Sequence, residues 1–201
     1  WGDYLNATED NSDGTVSVTT SGVEDGQTVT ITLNSQTYTA NVSTNSATVT
    51  ITAAGLQALS EGSEDLTADV SDVAGNAAAT VTSASFTVDR TATISAIATS
   101  ALSWGDYLNA TEDNSDGMVS VTTSGVEDEQ AVTIILNSQT YTANVSANAA
   151  TVTIPAAHLQ ALSEGSQTLT ADVSDLAGNA AARVTSASFT VDRTATISAI
   201  A

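Results

Sequence analysis

The string WGDYLNATEDNSDG at Trp1 returns at Trp104, and the two copies stay in register to the end of the chain at an offset of 103 residues. Differences are few. Among them, Thr15 becomes Met118, Gly26 becomes Glu129, Thr32 becomes Ile135, Thr52 becomes Pro155, Gly55 becomes His158, Glu64 and Asp65 become Gln167 and Thr168, and Thr80 becomes Arg183. A period this long exceeds the coil of a solenoid and fits whole domains strung in series.

Inside each copy the apolar residues alternate with period two. Val16 and Val18; Val29, Ile31 and Leu33; Tyr38, Ala40 and Val42; Val49 and Ile51; Leu66, Ala68 and Val70; and Ala84, Phe86 and Val88 each place apolar side chains on one face and Thr, Ser or Asp on the other. That pattern predicts half-buried strands. Turn residues separate them at SGVEDGQ, LNSQ, STNS and DVAGN, a spacing that predicts an antiparallel sandwich. AAGLQALSEG, Ala53 to Gly62, breaks the alternation and ends on Gly, so it predicts a short helical crossover.

TATISAIA adds a strand that sets the phase of the repeat. If it opens a domain, 1–90 is a unit without its opening strand, 91–193 is a complete unit, and 194–201 is the opening strand of a following one. The alternative makes ISAIA the closing strand of the preceding unit. The first phase is preferred, because VDRT reads as a domain exit and seven strands then close a sandwich. It predicts that the overhang at Ile197 to Ala201 packs against the incomplete first unit of another copy. WGDYLNATED is expected to form a loop at the far end of its unit.

Composition narrows function. With 23 Asp and Glu against 3 Lys and Arg, the net charge of -20 repels phosphate backbones and anionic lipid, which argues against nucleic acid and membranes as partners. Zero Cys excludes a disulfide scaffold and thiolate metal sites. Aromatics are only 4% of the chain, so each core must be built from Val, Ile and Leu. No apolar run reaches the length of a transmembrane helix and no signal peptide is present, so the chain reads as an excerpt from something longer.

TATISAIA, GDYLNATED, SGVEDGQTVTITLNSQTYTANV, ITAAGLQALSEG, LTADVSDVAGNAA and SFTVD, in this order, resemble the bacterial immunoglobulin-like repeats in the extender region of RTX adhesins. The resemblance covers both copies. It implies an all-β fold of two tandem immunoglobulin-like sandwiches joined end to end. It also implies a giant, type I secreted, calcium-dependent surface protein, whose tandem domains hold a ligand-binding tip away from the cell.

In such a sandwich the loops divide between the pole where the chain enters and the pole where it leaves. Glu24, Asp25, Asp72 and Asn76 map to the leading pole of the first unit, and Glu9, Asp10, Asp13, Glu61 and Asp89 to its trailing pole. Glu127, Asp128, Asp175 and Asn179 take the leading pole of the second. Two carboxylates at roughly 4 Å repel by about 1 kcal/mol in water and several-fold more when desolvated, so such clusters call for compensation. Arg90 is near, but in an extended segment it points opposite to Asp89. Calcium, with about 6 to 8 oxygen ligands at flexible geometry, matches this donor set better than magnesium or zinc. The rival reading is a solvated acidic surface. The resemblance favours Asp72, Asp89, Asp175 and Asp192 as ligands. Asp106, Asn109 and Glu112 either hold an ion inside their own unit or form an Asn- and Asp-rich turn, and Glu112 and Asp113 belong to the trailing pole of unit two.

His158 is the single His, replaced by Gly55 in the other copy, and no nucleophile stands beside a base, so no catalytic chemistry is common to the two units. The sequons at Asn6, Asn41, Asn109 and Asn144 are expected by chance in a Thr- and Ser-rich chain. Trp1 and Trp104 are expected to pack against a neighbouring module. The reading is a spacer, a monomer in solution whose partners are adjacent repeats of the same polypeptide, head to tail, with calcium stiffening the joints. Rival readings are a module that binds a surface glycan or protein, and an ice-adhering Thr face.

Overall fold

The run TVTITL forms a strand, Thr28–Leu33, with Val29, Ile31 and Leu33 buried and the three Thr turned outward. Period-two alternation produces the same result along most of the chain. The computed structural model describes residues 1–199, which divide into two units between Arg90 and Thr91.

Unit 1 contains β1 (Tyr4–Leu5), β2 (Gly14–Thr19), β3 (Thr28–Leu33), β4 (Gln36–Asn41), β5 (Ser46–Ile51), α1 (Ala53–Gln57), β6 (Gly62–Glu64), β7 (Thr67–Asp69), β8 (Val81–Thr82) and β9 (Phe86–Val88). Its sheets run β4-β3-β7-β8, β2-β5 and β1-β9-β6. Unit 2 contains β10 (Thr93–Ile94), β11 (Tyr107–Leu108), β12 (Gly117–Ser124), β13 (Ala131–Leu136), β14 (Gln139–Asn144), β15 (Ala149–Ile154), α2 (Ala156–Gln160), β16 (Gly165–Gln167), β17 (Thr170–Asp172), β18 (Val184–Thr185) and β19 (Phe189–Val191). Its sheets repeat the order, β14-β13-β17-β18 and β11-β19-β16, except that β12-β15 gains a third member in β10. Each core is a single apolar cluster, dominated by Val, Ile and Leu.

Tight turns hold the registers. Asn34 and Ser35 both take positive φ, 45° and 61°, as a two-residue hairpin between β3 and β4 requires. The helical crossover is shorter than the sequence suggested, five residues of α1 followed by β6, because the strand resumes once Leu56 and Leu59 are buried.

Three expectations need correction. WGDYLNATED is not wholly a loop: β1 pairs in parallel with β9, Tyr4 beside Thr87 and Leu5 beside Val88. Two residues are too short to show alternation, yet Leu5 is fully buried. Ala84 does not face the core; it is exposed, and the last strand starts at Phe86. Nor does either Trp depend on a neighbouring module for its packing. Trp104 is buried against Phe189 at 5.3 Å between ring centroids, and Trp1 leans on Phe86 at 5.6 Å, each within its own unit.

Thr91–Ala98 belongs to the core of unit 2. Thr93 lies opposite Ser124 and Ile94 opposite Thr123, while Ala92, Ile94 and Ile97 are buried. The second copy of this segment behaves differently: Thr194–Ala199 forms no strand and is exposed along its length. The expected packing of Ile197 to Ala201 extends past the described residues at Ile200 and Ala201.

Candidate ion-binding poles and their internal bonds

The poles of each sandwich are built from loop acids that already have work as hydrogen-bond acceptors. At the leading pole of unit 1, Glu24 Oε2 accepts from the Val73 N–H at 3.0 Å and Asp25 Oδ1 from the Thr44 N–H at 2.7 Å. Asp72 accepts from both the backbone N–H and the side-chain amide of Asn76, each at 2.7 Å. These bonds, the Asn76 side chain first, hold the Asp72 carboxyl below its ordinary range. Unit 2 repeats the set: Glu127 with Leu176 N–H at 2.8 Å, Asp128 with Ala147 N–H at 2.8 Å, and Asp175 with Asn179 at 2.7 Å twice. Asp175 and Asn179 are buried, whereas Asp72 is half-buried and Asn76 exposed.

The opposite end of β2, about 20 Å away at roughly 3.3 Å per residue, carries the trailing pole. Arg90 organises it. Its Nε meets Asp10 Oδ2 at 2.6 Å, its Nη1 lies 3.6 Å from Glu61 Oε1, and its guanidinium donates to the carbonyls of Leu59 and Leu56 at 3.1 and 2.8 Å. The Leu56 carbonyl lies in the last turn of α1 and the Leu59 carbonyl just past its end, where orphan acceptors need donors. Asp13 answers at the start of that helix, accepting from the Ala53 N–H at 2.8 Å. Arg193 repeats the arrangement with Asp113 at 2.6 Å and Glu164 at 3.6 Å. Asp10 is only 5% exposed and Asp113 4%, so each buried aspartate has a part-buried arginine as its cation, while Glu61 and Glu164 stand at the exposed rim of the clamp.

The sequence places Arg90 near the acids but pointing opposite to Asp89, and does not reveal its pairing with Asp10. A signal existed: of three basic residues in the whole chain, two occupy the same place in the repeat. Their partners lie 80 positions earlier, at Asp10 and Asp113, a separation that only the fold closes.

The segment around Asn6 and Asn109 adopts the turn geometry. Asn109 Oδ1 accepts from the N–H groups of Thr111 and Glu112 at 2.9 and 3.1 Å, and Glu112 Oε2 reaches back to the Asn109 N–H at 3.1 Å. Asn6 and Glu9 reproduce these bonds. Asp106 is not part of that turn; it accepts from the Thr99 hydroxyl. Asp89 and Asp192 close the last strands, their backbone N–H groups donating to Leu5 and Leu108 at 3.0 Å. Asp89 is half-buried and Asp192 exposed.

Among the described residues, no three Asp, Glu or His side chains converge as a metal-holding group. The donor chemistry still suits calcium, since a carboxylate offers about four acceptor positions and one N–H bond fills one of them. Among those residues too, no helix is long and apolar enough to cross a membrane, which leaves β-barrels unaddressed. His158 is exposed on α2, where its Nδ1 lies 2.9 Å from the Tyr141 hydroxyl.

Fold and poles together define a class: two immunoglobulin-like β-sandwiches in series, bonded internally at both ends. No protein-family model matches the chain, and no curated protein sequence does. Solved structures do. A Ca2+-stabilized adhesin with which an Antarctic bacterium reaches out and binds ice is 31% identical over 96% of this chain and 47% of that one, with a TM-score of 0.52. A 1.5-MDa bacterial ice-binding adhesin, studied for its retention at the host cell surface, is 31% identical over 96% of this chain and 62% of that one, also at 0.52. A bacterial immunoglobulin-like domain of the M. primoryensis ice-binding adhesin is 30% identical over 51% of this chain and 96% of that domain, at 0.35. The chain belongs to this family, the immunoglobulin-like tandem repeats of large bacterial RTX adhesins. It spans about half the length of the first of these structures and 62% of the second.

Proposed function

We propose that the two units are extender modules of a secreted bacterial surface adhesin, holding a distal ligand-binding domain away from the cell, with calcium stiffening the joints between successive repeats. The observation that carries this reading is the serial repetition of one sandwich whose acids gather in loops at its poles. The strand flanks carry Thr and Ser, the polar side chains suited to a solvated sheet face. A spacer needs length and stiffness and little else.

The family includes an adhesin described as Ca2+-stabilized, which supports the ion. Within a unit the pole acids supply only part of a calcium shell, so the remaining oxygens in this reading come from carbonyls, water and the adjoining repeat. Such a clamp works by mass action. An ion that binds only the folded, joined state adds RT ln(1 + [L]/Kd), about 2.7 kcal/mol at 100 times Kd.

Small-angle scattering of the whole chain in calcium and in chelator tests the reading. The maximum dimension is expected to increase with calcium, and Asp89→Asn to blunt that increase while leaving both units folded. Identical dimensions in the two buffers contradict the clamp. Retained folding but no lengthening would leave the modules as passive, hinged spacers.

A further inference from the structure

All three basic residues of the chain are arginines, Arg90, Arg183 and Arg193, so an endopeptidase that cuts after Arg or Lys has three bonds to attack. They are not equally presented. The Arg183 side chain is 60% exposed and donates to Asp172 Oδ1 at 2.8 Å, one residue ahead of β18, the short edge strand of its sheet. The Arg90 and Arg193 side chains are 17% exposed and sit inside the trailing-pole clamps. We propose that the Arg90–Thr91 bond, at which the chain divides into its two units, is a latent cleavage site for arginine-specific endopeptidases, locked by the clamp and opened when the clamp is released.

Such an enzyme seats the arginine on a carboxylate in its specificity pocket and holds the reacting carbonyl in an oxyanion hole. At Arg90 the guanidinium is already occupied. Its Nε is on Asp10 Oδ2 at 2.6 Å, and Nη1 and Nη2 donate to the carbonyls of Leu59 and Leu56. The backbone is held as well, with the Arg90 N–H donating to Glu61 Oε2 at 3.2 Å and the Asp89 N–H to the Leu5 carbonyl at 3.0 Å. Strand β9 ends at Val88 and β10 starts at Thr93, so residues 89–92 are the whole connection between two paired strands. That span is too short to enter a cleft while both strands stay paired.

The reaction is a hydrolysis. Water adds across the amide bond of Arg90–Thr91, the C–N bond breaks, Arg90 keeps the carboxylate and Thr91 leaves with the amine. Nothing but water is consumed. What limits the step is access, because withdrawing the guanidinium leaves Asp10 buried without its cation. Cleavage therefore runs through a locally opened trailing pole, and its rate follows the population of that open state when opening is fast relative to cutting.

The place of the bond gives the lock its meaning. A cut after Arg90 severs the chain at the boundary of two folded units, whereas a cut after Arg183 nicks unit 2 between β17 and β18. Arg193 carries the same lock after β19, with Asp113 in the role of Asp10. An intact trailing pole thus guards the covalent continuity of the chain, and a released one exposes it to shedding. Arg90 is the one basic residue of unit 1, so cleavage in that unit reports this bond alone.

Limited trypsin digestion of the full chain, with fragments identified by mass, tests the proposal. In the parent the Arg183–Val184 bond is expected to be cut well before Arg90–Thr91. Asp10→Asn, which keeps the side chain's shape and removes its charge, is expected to speed release of fragments 1–90 and 91–201 by about tenfold or more. Unfolding of the whole of unit 1 would expose Arg90 too, so Val49→Ala, a fully buried core position outside the clamp, serves as the reference. Under conditions where unit 1 is equally stable in the two variants, Asp10→Asn should still be cut after Arg90 several-fold faster. Equal cutting at equal stability overturns the proposal, because the bond would then open only with the entire unit. So does a parent cut after Arg90 as fast as after Arg183, and so does a rate that Asp10→Asn leaves unchanged.

Discussion

Val18 and Val121 stand at the same position in two copies of one strand, yet Val18 is half-buried and Val121 has no exposed surface. Nothing nearby in sequence accounts for it; the difference is a strand that one unit has and the other lacks. The same contrast recurs at Val70 and Val173, and at Ala78 and Ala181, partly or fully exposed in unit 1 and buried in unit 2. Burial is thus a property of a residue together with its non-local cover. The trailing poles teach the converse. The Arg90 and Arg193 clamps agree to within 0.1 Å in every contact, because all their parts lie inside each unit.

The largest expected effect breaks the equality of those clamps. Arg90→Ala or Arg193→Ala leaves Asp10 or Asp113 buried without its cation, at a cost of about 3–5 kcal/mol. Denaturant unfolding followed separately for each unit should show equal losses from the two substitutions. Unequal losses would mean that the units differ at the pole where they look alike.

A smaller effect sharpens the contrast at the open face. Val121→Ala removes fully buried methyls and should destabilise unit 2 by about 1.5–2.5 kcal/mol, whereas Val18→Ala should destabilise unit 1 by clearly less. Equal costs would show that unit 1 hides its valines in solution by some other cover.

The sandwich was legible in the sequence because alternation is local: Val29, Ile31 and Leu33 announce a buried strand face without reference to anything else. The helical crossover was legible for the same reason. The short strands were not. Tyr4–Leu5 is held by a parallel partner more than 80 positions away, and two residues carry no period. At the candidate sites, the grouping of acids by pole could be derived from loop order alone. Their occupations could not, because Glu24 reaches Val73, Asp13 reaches Ala53 and Asp10 reaches Arg90 across 49, 40 and 80 positions. Whether an acid serves an ion or a backbone N–H depends on those distant partners.

Two titrations give the finest comparisons. Burial raises the pKa of the Tyr141 hydroxyl in the folded state, which lies against His158 in unit 2, where unit 1 has Gly55. The folded state therefore favours the protonated phenol. This contribution is fully present below about pH 10 and is lost as the pH rises through the folded value. Ultraviolet titration should find the Tyr141 hydroxyl ionising late, and His158→Gly should alter its midpoint. Asp72 has the opposite sign. Its lowered carboxyl contributes stability above the ordinary carboxylate range, lost as the pH falls below about 4. Asn76→Ala should return its midpoint, followed by NMR, toward the ordinary value; no movement would show that the Asn76 bonds are not its cause.

Unit 1 is the same sandwich as unit 2, left open along β2. Amide hydrogen exchange on the dilute whole chain measures this directly, by comparing Gly14–Thr19 with Gly117–Ser124. The first segment should exchange faster, and added TATISAIA peptide should slow it while leaving the second unchanged. Equal protection of the two segments without peptide, or no response of Gly14–Thr19 to it, would contradict the account.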